Sequence, residues 1–253
     1  MTERWRIDEP LLADPGHLTL ALVRHGRTSW NAAGIIKGHR GPGLDECGHR
    51  QAEALAARLA RDLPAPAAVL SSDLARTRET AGYYAQLVGA PVQDEPRLRE
   101  IDNGSWSGRA IPEVIVEHSA VLTRIRGGED LPRGGGETVG QLRARARAVL
   151  ESTARRHAVG TEPEQAPAAV LFTHGGMVRA LVAEALGLQP GVLSIASPAN
   201  CSVTVLHVRT DGGEIAAATL RSFNSIDHLT TAGAVDGIAP AEATRASFAM
   251  STD

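Results

Sequence analysis

The stretch Leu20–Gly34, LALVRHGRTSWNAAG, decides how this chain is read. An apolar run rich in strand formers, HLTLALV (17–23), ends abruptly in Arg24, His25 and Gly26. Burying a guanidinium or an imidazole without partners is costly. The stretch is therefore either a badly placed surface turn or a site, and the remainder of the sequence has to distinguish the two.

Working outward, strand and helix patterns alternate. DECGHRQAEALAARLARDL (45–63) sets Ala52, Leu55, Ala56, Leu59 and Leu63 on one helical face, with Asp45 as N-cap. APAAVLSS (65–72) reads as a second strand, DLARTRETAGYYAQLVG (73–89) as a helix ended by Gly89, and PVQDEPRL (91–98) as a third strand. Residues 101–136 are rich in Gly and Pro and hold one short helix at 111–118, the usual character of a lid or substrate cap. A long helix follows at 137–157, with Val139, Leu142, Ala146, Val149 and Leu150 on its apolar face. AAVLFT (168–173) is a fourth strand and GMVRALVAEALG (176–187) a helix. NCSVTVLHV (200–208) and EIAAATLRSF (214–223) flank TDGG (210–213), a hairpin turn. This order predicts an α/β domain with a mainly parallel sheet and an antiparallel edge. Residues 1–16 read as an N-terminal arm, 17–230 as the domain with a cap insertion at about 105–136, and 231–253 as a tail.

Composition narrows the function. A net charge of −3 gives no reason to expect nucleic acid or an anionic membrane as partner, and no apolar run approaches a membrane span. The opening segment has no apolar run of the signal-peptide kind, so a cytoplasmic protein is expected. Cys47 and Cys201 are far apart in sequence and have no metal-binding spacing. Arginine supplies nearly all the positive charge, Lys37 being the only lysine.

Ligands of open α/β sheets bind at the carboxyl ends of the strands. Those ends carry Arg24, His25 and Gly26; Ser71, Ser72 and Asp73, with Arg76 just inside the next helix; Arg99 and Glu100; and Thr173, His174, Gly175 and Gly176. Each residue alone has a structural explanation. Together they bring two histidines, several arginines and a carboxylate to one edge, beside helix N-termini that favour an anion.

Six blocks in register then resemble the histidine phosphatase superfamily: LVRHGRTSWN, GLDECGHRQA (43–52), SSDLARTRETA (71–81), LREIDNGSWSGR (98–109), GGGETVGQLRARA (134–146) and LFTHGGMVRAL (171–181). The resemblance covers roughly residues 18–208. It implies a three-layer α/β/α, phosphoglycerate mutase-like fold and a small phosphate ester as substrate. His25 would be the nucleophile that forms a phosphohistidine. Arg24, Arg76 and His174 would hold the phosphoryl oxygens, with Asn31 and the Gly175 N–H as further donors. Glu100 would be general acid and then base. No metal and no cofactor are implied, and a homodimer is left open.

The sequence departs from the family at Arg27, where Glu or Gln is usual, and at Lys37, where Gln is frequent. Both are candidates for gripping a second anionic group on the substrate, with the alternative that both point outward. The favoured reading is a phosphomonoesterase. The alternatives are a cofactor-dependent phosphoglycerate mutase, disfavoured because the cap has Arg124 and Arg126 but no adjacent arginine pair, and a non-catalytic phospho-ligand binder.

Overall fold

A computed structural model describes residues 16–160, 163–189, 195–231 and 234. β1 (Gly16–Arg24) runs through the middle of a six-stranded sheet. The other strands are β2 (Ala68–Ser71), β3 (Val92–Asp94), β4 (Ala168–Thr173), β5 (Val203–Asp211) and β6 (Glu214–Ser225), and the order is β3-β2-β4-β1-β5-β6. β1 is parallel to β4, with Leu22 opposite Leu171, and β2 is parallel to both β4 and β3. β5 and β6 complete the sheet antiparallel. The carboxyl ends of β1, β2 and β4 therefore share one edge, and the segment entering β5 returns to it.

β1 is buried on both faces because its side chains alternate between two cores. Leu18, Leu20 and Leu22 pack under α6 (Val139–His157) and α7 (Gly175–Ala185), against Leu142, Val149 and Leu181. Ala21 and Val23 pack under α2 (Glu46–Asp62) and α3 (Ala75–Val88), against Leu55, Leu59 and Tyr84. This is the expected three-layer architecture.

Local chemistry sets the element ends. The Asp45 carboxylate accepts from Gly48 N (2.8 Å) at the start of α2. Thr138 and Gln141 form a reciprocal capping box on α6. α3 closes on Gly89 at φ +66°. Gly212 and Gly213, both at positive φ, form the two-residue turn between Asp211 and Glu214 that joins β5 to β6.

Some expectations need correction. The third strand is only Val92–Asp94; Glu95 caps a 3-10 turn at Pro96–Leu98, because proline cannot donate to the sheet. The cap holds two helices rather than one: α4 (Ile111–Glu117) and α5 (Ser119–Arg126). With Trp106, Val114 and Ile125 they bury a small core of their own. A short α1 (Ser29–Ala32) follows β1, and α8 (Asp227–Thr231) follows β6, where Leu229 joins the α2–α3 side of the core. Residues 1–15 of the arm, and the tail beyond Thr231 except Ala234, lie outside the described residues. Among the described residues no helix is long and apolar enough to cross a membrane.

Leu22 is fully buried at the sheet centre. Leu22→Ala is expected to cost about 3 kcal/mol through lost burial and a residual cavity. Urea denaturation should show a lower midpoint at unchanged slope; a loss below about 1 kcal/mol would contradict this packing.

Candidate active site

β1 delivers Arg24 and His25 to the shared edge, and the neighbouring strand fixes their backbone: His25 N donates to Thr173 O (2.9 Å). The His25 side chain is almost fully buried at 1% exposure. Its Nδ1–H donates to the Gly26 carbonyl (2.7 Å), which leaves Nε2 as the nitrogen with a free lone pair. Gly26 N donates to Thr80 Oγ1 (3.0 Å), and a Cβ at Gly26 would stand 2.7 Å from Gly48 O, so the turn after His25 requires glycine. His174, the N-cap of α7, is bonded through Nε2 to Ser72 Oγ (2.9 Å). The two imidazole centroids are 5.2 Å apart at 60°.

The cations here are held by carbonyls. Arg24 Nη1 donates to Pro198 O, and Arg76 donates through Nη2 to Gly38 O (2.8 Å) and through Nη1 to Arg40 O (3.1 Å). Arg24 Nε, Arg76 Nε and His174 Nδ1 are buried without a partner among the described residues. Unsatisfied buried donors of this kind cost free energy until an acceptor joins them. Burial drives both imidazoles well below the ordinary range, and the charges of Arg76 and Arg24 add to it. His25 is thereby neutral at neutral pH, the state a nucleophilic imidazole needs. Burial also lowers Arg76 to about 10, still charged, and takes Lys37 down to about 7, with Arg24 and Arg76 pushing further and Glu100 opposing.

Glu100 is placed by both its side chain and its main chain. Oε1 accepts from Ile101 N (3.0 Å) and Oε2 from Gly176 N (3.2 Å), in the first turn of α7. A Cβ at Gly176 would collide with Oε1. The Glu100 carbonyl accepts from His39 Nε2 (2.9 Å) and Arg145 Nη2 (3.3 Å), and Arg145 is itself paired with Glu137 (2.7 Å).

The structure thus brings His25, His174, Arg24, Arg76 and Glu100 to one edge. Gly175 lies against Arg24, since a Cβ there would be 3.6 Å from Arg24 Nε. Asn31 accepts from Thr28 N and Oγ1 through its Oδ1 in the α1 capping box, so its amide NH₂ remains as the donor. The two departures from the family separate. Lys37 is within the field of Arg24, Arg76 and Glu100. Arg27 is bonded through Nε to Asp45 (2.9 Å), the carboxylate that caps α2. Arg99 is likewise committed, to Asp73. Sequence reasoning missed the return segment before β5, where Asn200 Nδ2 donates to His25 O (2.9 Å), and the supports His39, Thr80 and Arg145. An asparagine just before a strand was a faint signal for the first; the others have none in sequence.

The sequence profile described as "Histidine phosphatase superfamily (branch 1)" matches residues 20–220. The chain belongs to that superfamily. It is 33% identical over 218 residues to a metal-independent phosphoserine phosphatase of Arabidopsis thaliana, covering 85% of this chain and 84% of that protein. It is also 33% identical over 218 residues to a probable phosphoglycerate mutase, GpmB, of Photorhabdus laumondii, covering 85% and 96%. Among solved structures it resembles a mycobacterial glucosyl-3-phosphoglycerate phosphatase in complex with VO3. That TM-score is 0.71 at 28% identity, over 82% of this chain and 98% of the other. The chain is thus an enzyme of the histidine phosphatase type.

The depressed imidazoles set a pH dependence. An unfolded histidine titrates near pH 6.5, whereas His25 and His174 in the fold resist protonation. Between those limits the unfolded state binds more protons, so stability is complete above about pH 6.5 and falls as pH drops through it. The urea midpoint should decrease between pH 7.5 and 5.5, and less steeply in His25→Ala. A flat wild-type profile would contradict two buried neutral rings.

Proposed function

We propose that this chain is a metal-independent phosphomonoesterase that hydrolyses a small phosphorylated metabolite through a phosphohistidine on His25. The observation that carries the reading is a buried His25 whose Nδ1–H is held by the Gly26 carbonyl, together with buried nitrogens on Arg24, Arg76 and His174 that have no partner among the described residues. In the first step Nε2 of His25 attacks phosphorus. The ester oxygen leaves as an alcohol, taking a proton from Glu100. In the second step water attacks the phosphohistidine, Glu100 accepts its proton, and inorganic phosphate and His25 are regenerated. Arg24, Arg76 and His174 stabilise the charge on the equatorial oxygens, with Asn31, the Gly175 N–H and Lys37 as further donors. The positive charge of Arg24 and Arg76 supplies the electrostatics that a metal ion supplies elsewhere. Among the described residues no three His, Cys, Asp or Glu side chains come together to hold a metal.

Phosphatase names among the relatives support hydrolysis. The mutase alternative draws on another relative's name. In this chain Arg124 is paired with Glu129 (2.6 Å) and the cap has no adjacent arginine pair, which disfavours the mutase reading.

The protein is expected to hydrolyse p-nitrophenyl phosphate at mildly acidic to neutral pH with undiminished rate in EDTA. His25→Ala should abolish turnover. Loss of activity on chelation, or wild-type rates in the variant, would sink the mechanism. Efficient isomerisation of 3-phosphoglycerate primed by 2,3-bisphosphoglycerate would instead establish the mutase.

Gly176→Ala probes the acid. Its methyl must displace the Glu100 carboxylate, so kcat should fall by roughly 100-fold, the scale of a general acid's contribution, while KM moves little. A rate within twofold of wild type would count against Glu100.

A further inference from the structure

The peptide that holds His25 is itself held. The Gly26 carbonyl that accepts from His25 Nδ1–H (2.7 Å) belongs to the Gly26–Arg27 peptide, whose N–H donates to Gln51 Oε1 (3.0 Å). Gln51 lies one turn beyond Gly48 on α2, and that helix also holds the other side of Arg27. Asp45 N donates to Arg27 O (3.0 Å), and a Cβ at Gly48 would collide with the same carbonyl. Gln51 is fully buried, on the helix face that carries Ala52 and Leu55. A buried amide is costly unless it is hydrogen-bonded. Here Oε1 meets the Arg27 N–H and Nε2 donates to Ala234 O (3.4 Å), so the two partners fix which way the amide points. Ala234 is buried in turn, and its N donates to Leu229 O (2.9 Å) of α8.

We propose that Gln51 is a positioning residue for the nucleophile: through the Gly26–Arg27 peptide it fixes the carbonyl that binds His25 Nδ1–H, and with it the tautomer that presents Nε2. The inference rests on the reading of His25 as nucleophile. The Gln51 amide, the peptide and the imidazole form one chain of hydrogen bonds. An N–H that donates polarises its peptide, and the carbonyl on the other side becomes a stronger acceptor. Burial and the charges of Arg76, Arg24 and Lys37 oppose positive charge on the ring, and the Gly26 carbonyl favours it. As the Nε2–P bond forms, the ester P–O bond breaks, its electron pair leaves with the oxygen, and Nδ1 keeps its proton. The ring therefore gains positive charge during attack, and the Gly26 bond is stronger in the transition state than before it. A neutral amide supports that bond without adding a carboxylate to the field of Arg24 and Arg76.

The test reads tautomer and rate separately. In nitrogen NMR of protein carrying isotope-labelled histidine, the His25 signals are those lost in His25→Ala. They should show a neutral ring with its hydrogen on Nδ1. Gln51→Met and Gln51→Leu both fill the space without an acceptor, so the outcome does not depend on one of them folding. In either variant the hydrogen should distribute between Nδ1 and Nε2. Their kcat on p-nitrophenyl phosphate should fall about tenfold or more, the scale of a lost outer partner, with KM little changed because Arg24 and Arg76 are untouched. Gln51→Glu keeps an oxygen facing Arg27 N and should recover the tautomer and most of the lost rate. Wild-type signals with the hydrogen on Nε2, or a folded Gln51→Met or Gln51→Leu with unchanged tautomer and kcat, would overturn the inference. Turnover separates the two readings. Wild-type protein whose tautomer depends on Gln51 but which hydrolyses no phosphate ester would retain the positioning role and remove the nucleophile. Wild-type protein that hydrolyses the ester while the Gln51 variants match it in tautomer and rate would do the reverse.

Discussion

The constraint on which the rest depends is positive charge largely withdrawn from solvent at the end of β1. The strand is buried on both faces, and at its end His25 is buried while Arg24 is half-buried with its Nε shielded from solvent. The chain answers with carbonyls in place of carboxylates. Pro198 accepts from Arg24, while Gly38 and Arg40 accept from Arg76. A carbonyl satisfies a guanidinium N–H without neutralising its charge. Elsewhere arginines are neutralised by carboxylates: Arg143 by Glu184, Arg99 by Asp73, Arg27 by Asp45. That contrast sorts the arginines by task. Those paired with carboxylates hold the fold together, and those on carbonyls keep an electrostatic field that an anion can use.

The same field has to tolerate one carboxylate, and the fold takes care over where it stands. Glu100 lies in irregular chain, so no strand or helix ladder fixes it. Instead the Arg145 guanidinium collects the carbonyls of Arg97, Arg99 and Glu100 from α6, and Glu137 holds Arg145 in place. The side chain is fixed from the other direction by the first turn of α7, whose N-terminal N–H groups favour an anion. Rigid helices on one face of the sheet thus position a group at its edge. The glycine pair that opens α7 has a steric explanation: at Gly176 a side chain would occupy the place of the Glu100 carboxylate.

Much of this was legible in sequence because it depends on local pattern. The alternation of strands and helices, the Asp45 cap, the closure on Gly89 and the glycine turn before β6 are short-range effects, and the core residues on α2 and α6 follow helical spacing. The gathering of the candidate residues at one sheet edge was legible because strand ends of a parallel sheet must converge. What was not legible depends on distant pairing. Arg27 and Lys37 are equivalent as departures in a string of letters; only the fold puts Asp45 against one and the Arg24–Arg76 field against the other. The 91–98 run has strand-like residues, yet Pro96 cuts it short. The second cap helix was hidden because its small core with Trp106 forms across a glycine-rich connection.

The near absence of lysine takes on meaning at this edge. Desolvation penalises any cation, but a guanidinium begins so far above neutrality that Arg76 is still charged after falling to about 10. The single lysine begins lower, and the same surroundings bring it to about 7. Arg24 and Arg76 are therefore charged before any ligand arrives, whereas Lys37 is divided between its two forms at neutral pH. A phosphoryl dianion entering their field favours the charged form of the amine. A third guanidinium at that position would have carried its full repulsion toward Arg24 and Arg76 at all times.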